Sequence, residues 1–193
     1  MENEPRTTGP NLLAGAAVLY GTLLLAALIW SFLRGLELSF FGDDARFSVA
    51  LGLVGTIGLL TLGWLGSALL PAAKQLAQEM AETLVNGTGT GALILIALLS
   101  GVCEEVFFRG VLQQEFGLVA ASLVFGLVHF VPERRFFLWT VYAIVAGFFL
   151  GWLYEVTNGL AAPVTAHVLN NAVVLLYWRH RLEKSVRRSE DST

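Results

Sequence analysis

The chain alternates long apolar runs with short polar breaks, and the runs have the length a bilayer demands. A helix rising about 1.5 Å per residue needs roughly 20 apolar residues to cross the hydrocarbon core. The first such run is Leu12 to Leu33, followed by a polar stretch holding Asp43, Asp44 and Arg46. The second is Phe47 to Leu70, ended by Pro71. From Ala72 to Gly91 the pattern changes. Leu76, Met80 and Leu84 recur every four residues opposite Gln75, Glu79 and Glu82, which reads as an amphipathic helix on the membrane surface. Asn86-Gly87-Thr88-Gly89 breaks it. A third span is expected over Ala92 to Phe116, a short fourth over Leu118 to Val131 before Pro132, a fifth over Phe136 to Tyr154 and a sixth over Leu160 to Trp178. The polar remainder, Arg179 to Thr193, is expected to be disordered.

The expectation is an all-α polytopic bundle of about six spans plus one interfacial amphipathic helix. It forms one membrane domain in three stretches: residues 1–91 with the first spans, 92–178 as the polar-cored unit, and 179–193 as a tail. Composition agrees, with 55% hydrophobic and 14% charged residues, against about 25% charged in soluble domains. The net charge of −3 gives no basic field for nucleic acid. Cys103 is the single cysteine and has no partner for an internal disulfide. The acidic start, with Glu2 and Glu4, is a poor signal peptide.

Lys and Arg placement sets orientation. With six spans one side collects Arg6, Lys74, Arg134, Arg135, Arg179, Arg181, Lys184, Arg187 and Arg188, and the other Arg34 and Arg46. Both termini are therefore expected in the cytoplasm of a plasma-membrane protein.

Ionisable groups inside a bilayer cost several kcal/mol unless they pair or face a wet cavity. Here they gather in three helices: Glu104, Glu105 and Arg109 in the third span, His129 in the fourth, and His167 with Asn171 in the sixth. Counting residues from the turn near Phe116–Gly117 puts Glu105 about 16 Å deep and His129 about 18 Å deep. His167 lies about 12 Å into its own span from the same side. One cavity can hold all of them. Glu105 and Arg109 are four apart and share a helix face, so they can pair. Glu104 points about 100° away and is left as the freer carboxylate, suited to a general base. His167 and Asn171 share a face and can both donate to one developing oxyanion. His129 can share a water with Glu104. A metal is the other route: Glu104, His129 and His167 have the ligand types of a His₂Glu site for zinc or another divalent ion. Sequence leaves that choice open. Phe125, one turn before His129, can wall the cavity, while Asn170 and Cys103 read as packing.

Duller readings exist. Glu105–Arg109 alone is a structural pair, and Asn171 alone is interhelical glue. A proton-coupled transporter would also place Glu and His in the membrane, but it usually shows two similar halves or broken helices, and neither is read here. A non-catalytic scaffold is the remaining rival. Other intramembrane proteases fit worse, since the chain has no HExxH, no GxSG at Leu98-Leu99-Ser100-Gly101, and no paired aspartates in a span.

Three motifs in order carry a resemblance. Glu104-Glu105-Val-Phe-Phe-Arg109 resembles EExxxR, Phe125-Gly-Leu-Val-His129 resembles FxxxH, and His167-Val-Leu-Asn-Asn171 resembles HxxxN. Together they are similar to the CPBP family, the CAAX-prenyl endopeptidases and bacteriocin-processing (Abi) proteins, over about Ala92 to Trp178. The resemblance implies an α-helical intramembrane endopeptidase, of metallo- or glutamate type. Its substrate would be a membrane-associated protein or peptide, either prenylated or a bacteriocin-like precursor. By position it implies that Glu104 and His129 activate water, His167 and Asn171 hold the oxyanion, and Glu105 with Arg109 supports them.

Overall fold

A computed structural model describes residues 8–190, and these are almost wholly helical, with no strand among them. Helix α1 runs Thr8–Arg34, α2 Ala45–Leu69, α3 Pro71–Val85, α4 Thr90–Phe107, α5 Gln114–Val128, α6 Phe137–Thr157 and α7 Ala161–Glu190. A π-helical segment, Phe108–Gln113, joins α4 to α5, and a 3₁₀ turn, Arg134–Phe136, leads into α6. Local chemistry sets several of these limits. Asp44 caps α2 by accepting from the backbone N–H groups of Arg46 and Phe47. Pro71 begins α3, where its missing N–H costs nothing. Asn158 closes α6 in the left-handed region at φ 50°.

Among the described residues four helical stretches are long and apolar enough to cross a membrane: Asn11–Arg34, Ala45–Leu69, Thr90–Val128 and Arg134–Thr157. The chain is thus a multi-pass membrane protein, but length and hydropathy single out four stretches where the sequence reading expected six. Two features account for the difference. The expected third and fourth spans form one continuous helical stretch bent at Gly117, whose φ 81° and ψ 167° depart from helical geometry. The expected sixth span carries His167, Asn170 and Asn171 and runs on into a charged half, so it is less apolar than the rest.

The bend at Gly117 reverses the chain. In a straight helix Glu104 and His129 would stand about 37 Å apart. Their side chains approach to 3.9 Å. The fold-back lets α5 pack along α6, while α1 packs on α4, α2 on α7 and α4 on α7.

The amphipathic α3 gains a packing role inside the bundle, and one further expectation changes. The apolar side of α3 is used inside the protein: Leu76, Ala81 and Val85 are buried, and α3 packs against α2 and α7. The polar end expected to be disordered is helical as far as Glu190, with Arg179 bonded to Glu183 one turn on at 2.8 Å. Residues 191–193 of that tail, and Arg6 of the orientation count, lie outside the described residues.

The start of α7 is fixed by the loop after α1. Leu160 and Ala161 donate backbone bonds to Ser39 and Phe40, and Asp43 donates to Thr157. This strap sets the height of α7, and with it the depth of His167 and Asn171.

Candidate active site

The site begins with a close approach of two helices. A Cβ on Gly101 of α4 would lie 2.5 Å from Val168 Cγ2 and 2.8 Å from the Val168 backbone nitrogen of α7. Glycine at 101 lets the two backbones meet, as small residues do between membrane helices. The polar side chains on either side of that contact then reach across. Asn171 Nδ2 donates to Ser100 Oγ at 3.0 Å, and His167 Nδ1 lies 2.7 Å from Glu105 Oε1.

Glu105 is fully buried and its Oε1 also accepts from Arg109 Nη1 at 3.0 Å. Arg109 is equally buried, and its Nη2 donates to the Gly147 carbonyl of α6 at 2.9 Å. One turn on, Gln113 donates to the Gly151 carbonyl at 3.0 Å. Residues 109 and 113 lie in the π-helical segment and face two α6 carbonyls that are likewise four apart. π-bulges of this kind are frequent at functional sites. The Arg109 guanidinium also stacks over Phe125, 4.7 Å from the ring centroid.

Glu104 is buried, and its Oε2 lies 3.9 Å from His129 Nε2. That is too long for a direct hydrogen bond. His129 Nδ1 is 2.7 Å from the Phe125 carbonyl. A carbonyl only accepts, so Nδ1 carries the proton, and Nε2 of the neutral ring presents a lone pair toward Glu104. Phe125 sits at the centre of the group. Its ring centroid is 4.7 Å from that of His129 and 6.0 Å from that of His167. Oε2 of Glu104 and Oε2 of Glu105 are buried without a hydrogen-bond partner. Such orphans are costly and call for an explanation at a reactive site.

The structure therefore brings together every residue the sequence singled out: Glu104, Glu105, Arg109, Phe125, His129, His167 and Asn171. Sequence reasoning missed three contributors. Ser100 holds Asn171, and Asn170 donates to Asn171 Oδ1 at 3.2 Å. Tyr20 of α1 is half-buried, with Glu104 and Ser100 as polar neighbours. Hydroxyls and amides cost less in a span than ionisable groups do, so these three stand out less along the chain than the charged motif residues.

The metal reading fits this geometry poorly. Among the described residues no group of three or more His, Cys, Asp or Glu side chains is arranged to hold a metal ion. His167 Nδ1 is engaged by Glu105 and its Nε2 is left open.

Residues 86–173 match the family model described as "Type II CAAX prenyl endopeptidase Rce1-like". The chain is also 42% identical over 81 residues to "Uncharacterized protein YpbD" of Bacillus subtilis (strain 168). That alignment covers 42% of this chain and 42% of the relative, so the likeness spans well under half the length of the curated relative it matches. No solved structure matches the chain. The matched segment contains Glu104, Glu105, Arg109, His129, His167 and Asn171, and over residues 86–173 the chain is similar to the Rce1-like type II CAAX prenyl endopeptidases, which are CPBP proteins.

Proposed function

We propose that the protein is an intramembrane endopeptidase that hydrolyses a peptide bond of a membrane-associated protein or peptide, either a CAAX-type prenylated protein or a bacteriocin-like precursor. The observation that carries this reading is the 3.9 Å gap between Glu104 Oε2 and His129 Nε2. Both atoms are acceptors when the carboxylate is ionised and the ring neutral. A water between them donates one hydrogen to each, at ordinary bond lengths of about 2.8 Å. This leaves its lone pair directed away from both, at a scissile carbonyl. Glu104 takes the proton as water adds to that carbonyl, and later returns it to the leaving amine.

The oxyanion formed on the carbonyl needs donors. Asn171 spends one N–H on Ser100 and keeps a second. His167 has Nδ1 on Glu105, which leaves Nε2 for the substrate. To donate from Nε2 the ring carries both protons, and the Glu105 carboxylate supplies the counter-charge. Arg109 fixes that carboxylate from its other side. Such preorganised donors are the usual main source of rate enhancement in acyl transfer. The reading keeps both termini on the cytoplasmic face of a plasma membrane, the side favoured by the basic residues of α3, of the segment before α6 and of the end of α7.

The test is cleavage by purified protein in proteoliposomes, with one peptide offered with and without a prenyl group. Glu104→Ala should lower cleavage by on the order of a thousandfold with insertion intact. Retained cleavage in a well-inserted Glu104→Ala variant would refute the mechanism. Preference between the two peptides decides the substrate class.

A further inference from the structure

The His129 imidazole has close neighbours on its own helix and on the next. Phe125, one turn earlier on α5, supplies two contacts: its carbonyl lies 2.7 Å from Nδ1, and its ring centroid lies 4.7 Å from that of the imidazole. A further contact comes from α6. Trp139, half-buried near the start of that helix, has its ring centroid 5.9 Å from the imidazole at an interplanar angle of 63°. Both separations fall in the range of favourable ring pairs. Trp139 is itself stacked on Tyr142, three residues further along α6, at 5.9 Å and 21°. The value of an outside contact follows from where His129 stands. It is the C-cap of α5, with φ −92° and ψ 4°, so the helix that carries it ends there. Helix ends fray more readily than helix interiors. Tryptophans near the ends of spanning helices commonly serve as interface anchors. Trp139 is so placed, yet its ring neighbours are a histidine of the site and a tyrosine of its own helix.

We propose that Trp139 is a positioning residue of the hydrolysis: its indole braces the His129 imidazole from α6 and keeps Nε2 aimed at Glu104 across the 3.9 Å gap. The proposal rests on the endopeptidase reading above. Phe125 moves with α5 and cannot by itself fix the ring relative to the rest of the bundle. Trp139 can, because α6 also carries the Gly147 carbonyl that receives Arg109, the partner of Glu105. A brace of this kind acts on the rate of the chemical step, since a displacement of about 1 Å in a reacting group can cost roughly a hundredfold. A tryptophan that only anchored α6 at the interface would act on insertion and stability, and would leave the rate per inserted molecule alone.

Trp139→Leu keeps an apolar side chain and removes the flat ring. In proteoliposomes kcat should fall on the order of tenfold to a hundredfold, as expected for a misplaced catalytic group, with KM close to wild type. Trp139→Phe restores a ring and should recover most of the loss. Should Trp139→Leu insert poorly, Trp139→Met fills more of the space without a flat face and carries the same expectation. Nitrogen NMR of isotopically labelled histidine reads the brace directly, with the His129 signals assigned by their loss in His129→Gln. In wild type the two ring nitrogens of His129 should resonate far apart, Nδ1 protonated and Nε2 bare. In Trp139→Leu or Trp139→Met they should draw together as the ring exchanges orientation and tautomer, and in Trp139→Phe they should stay apart. A kcat close to wild type in the inserted variant, a change in KM alone, or His129 nitrogens that stay at their wild-type positions would each overturn the proposal. Inserted wild-type protein that cleaves neither peptide counts against the endopeptidase reading, and the nitrogen spectrum still decides whether Trp139 holds His129.

Discussion

His167 Nδ1 stands 2.7 Å from Glu105 Oε1, and that same oxygen accepts from Arg109 at 3.0 Å. Glu105 is therefore more than half of an ion pair along one helix. It joins three helices, since Arg109 continues to the Gly147 carbonyl of α6 and His167 belongs to α7. Glu105→Ala leaves the Arg109 charge buried and unpaired. It should destabilise the protein by about 3–5 kcal/mol, the usual result of breaking a buried pair on one side. Thermal unfolding in detergent measures this. Glu105→Gln keeps a side chain of the same shape and should insert normally, yet cleave more slowly than wild type because His167 loses its counter-charge.

Arg109→Lys separates charge from geometry. The guanidinium spends one nitrogen on Glu105 and another on Gly147. An ammonium on a flexible stem is a point charge and cannot reproduce that planar fork. The α6 carbonyl loses its partner, at a cost of about 1–3 kcal/mol. A lowered unfolding temperature with cleavage reduced but not abolished is the expected outcome, and wild-type behaviour in both measurements would contradict it.

Gly117→Ala addresses the fold-back. Nothing stands within 4 Å of a Cβ placed there, so space is not the obstacle. The obstacle is φ 81° with ψ 167°, a region essentially reserved for glycine, and the strain should cost about 1–3 kcal/mol. The reversal at Gly117 carries His129 back to Glu104, so activity should fall along with stability. Unfolding temperature and cleavage rate, read on one preparation, test both halves.

Gly101→Ala forces α4 away from α7. Its Cβ would meet Val168 Cγ2 at 2.5 Å and the Val168 nitrogen at 2.8 Å. Overpacking of this kind costs about 1–3 kcal/mol. The bonds that bridge the two helices, Ser100 to Asn171 and Glu105 to His167, should lengthen, and cleavage should suffer more than stability does. Shortening Val168 to Ala removes the side-chain clash and leaves the backbone one. The double variant should recover stability only in part.

Much of this protein could be read along the chain. The apolar runs around Leu12–Leu33 and Phe47–Leu70 fall on α1 and α2 to within a few residues, because a bilayer demands one length and proline or an acidic cap ends it. The turn expected near Phe116–Gly117 is where Gly117 bends the helix. The polar residues of the three motifs stood out because charge is costly in lipid. By contrast, the count of spans, the inward face of α3 and the helical end of α7 did not follow from hydropathy. Leu76 has the same apolar character whether it meets lipid or α7.

The amino-acid order alone thus determined that the chain is helical and membrane-embedded, and which acid, base and amide side chains reach the middle of it. Those facts follow from solvent and from helical repeat, both local. Only tertiary structure decided the pairings: Glu105 with His167 and Ser100 with Asn171. Each joins residues at least 62 positions apart. Such contacts depend on helix crossings set by Gly101, by the bend at Gly117 and by the strap at Ser39 and Phe40. Serine, tyrosine and asparagine are cheap enough in a helix to occur there for many reasons, as the hydroxyls of Thr56 and Thr61 show by bonding carbonyls of their own helix.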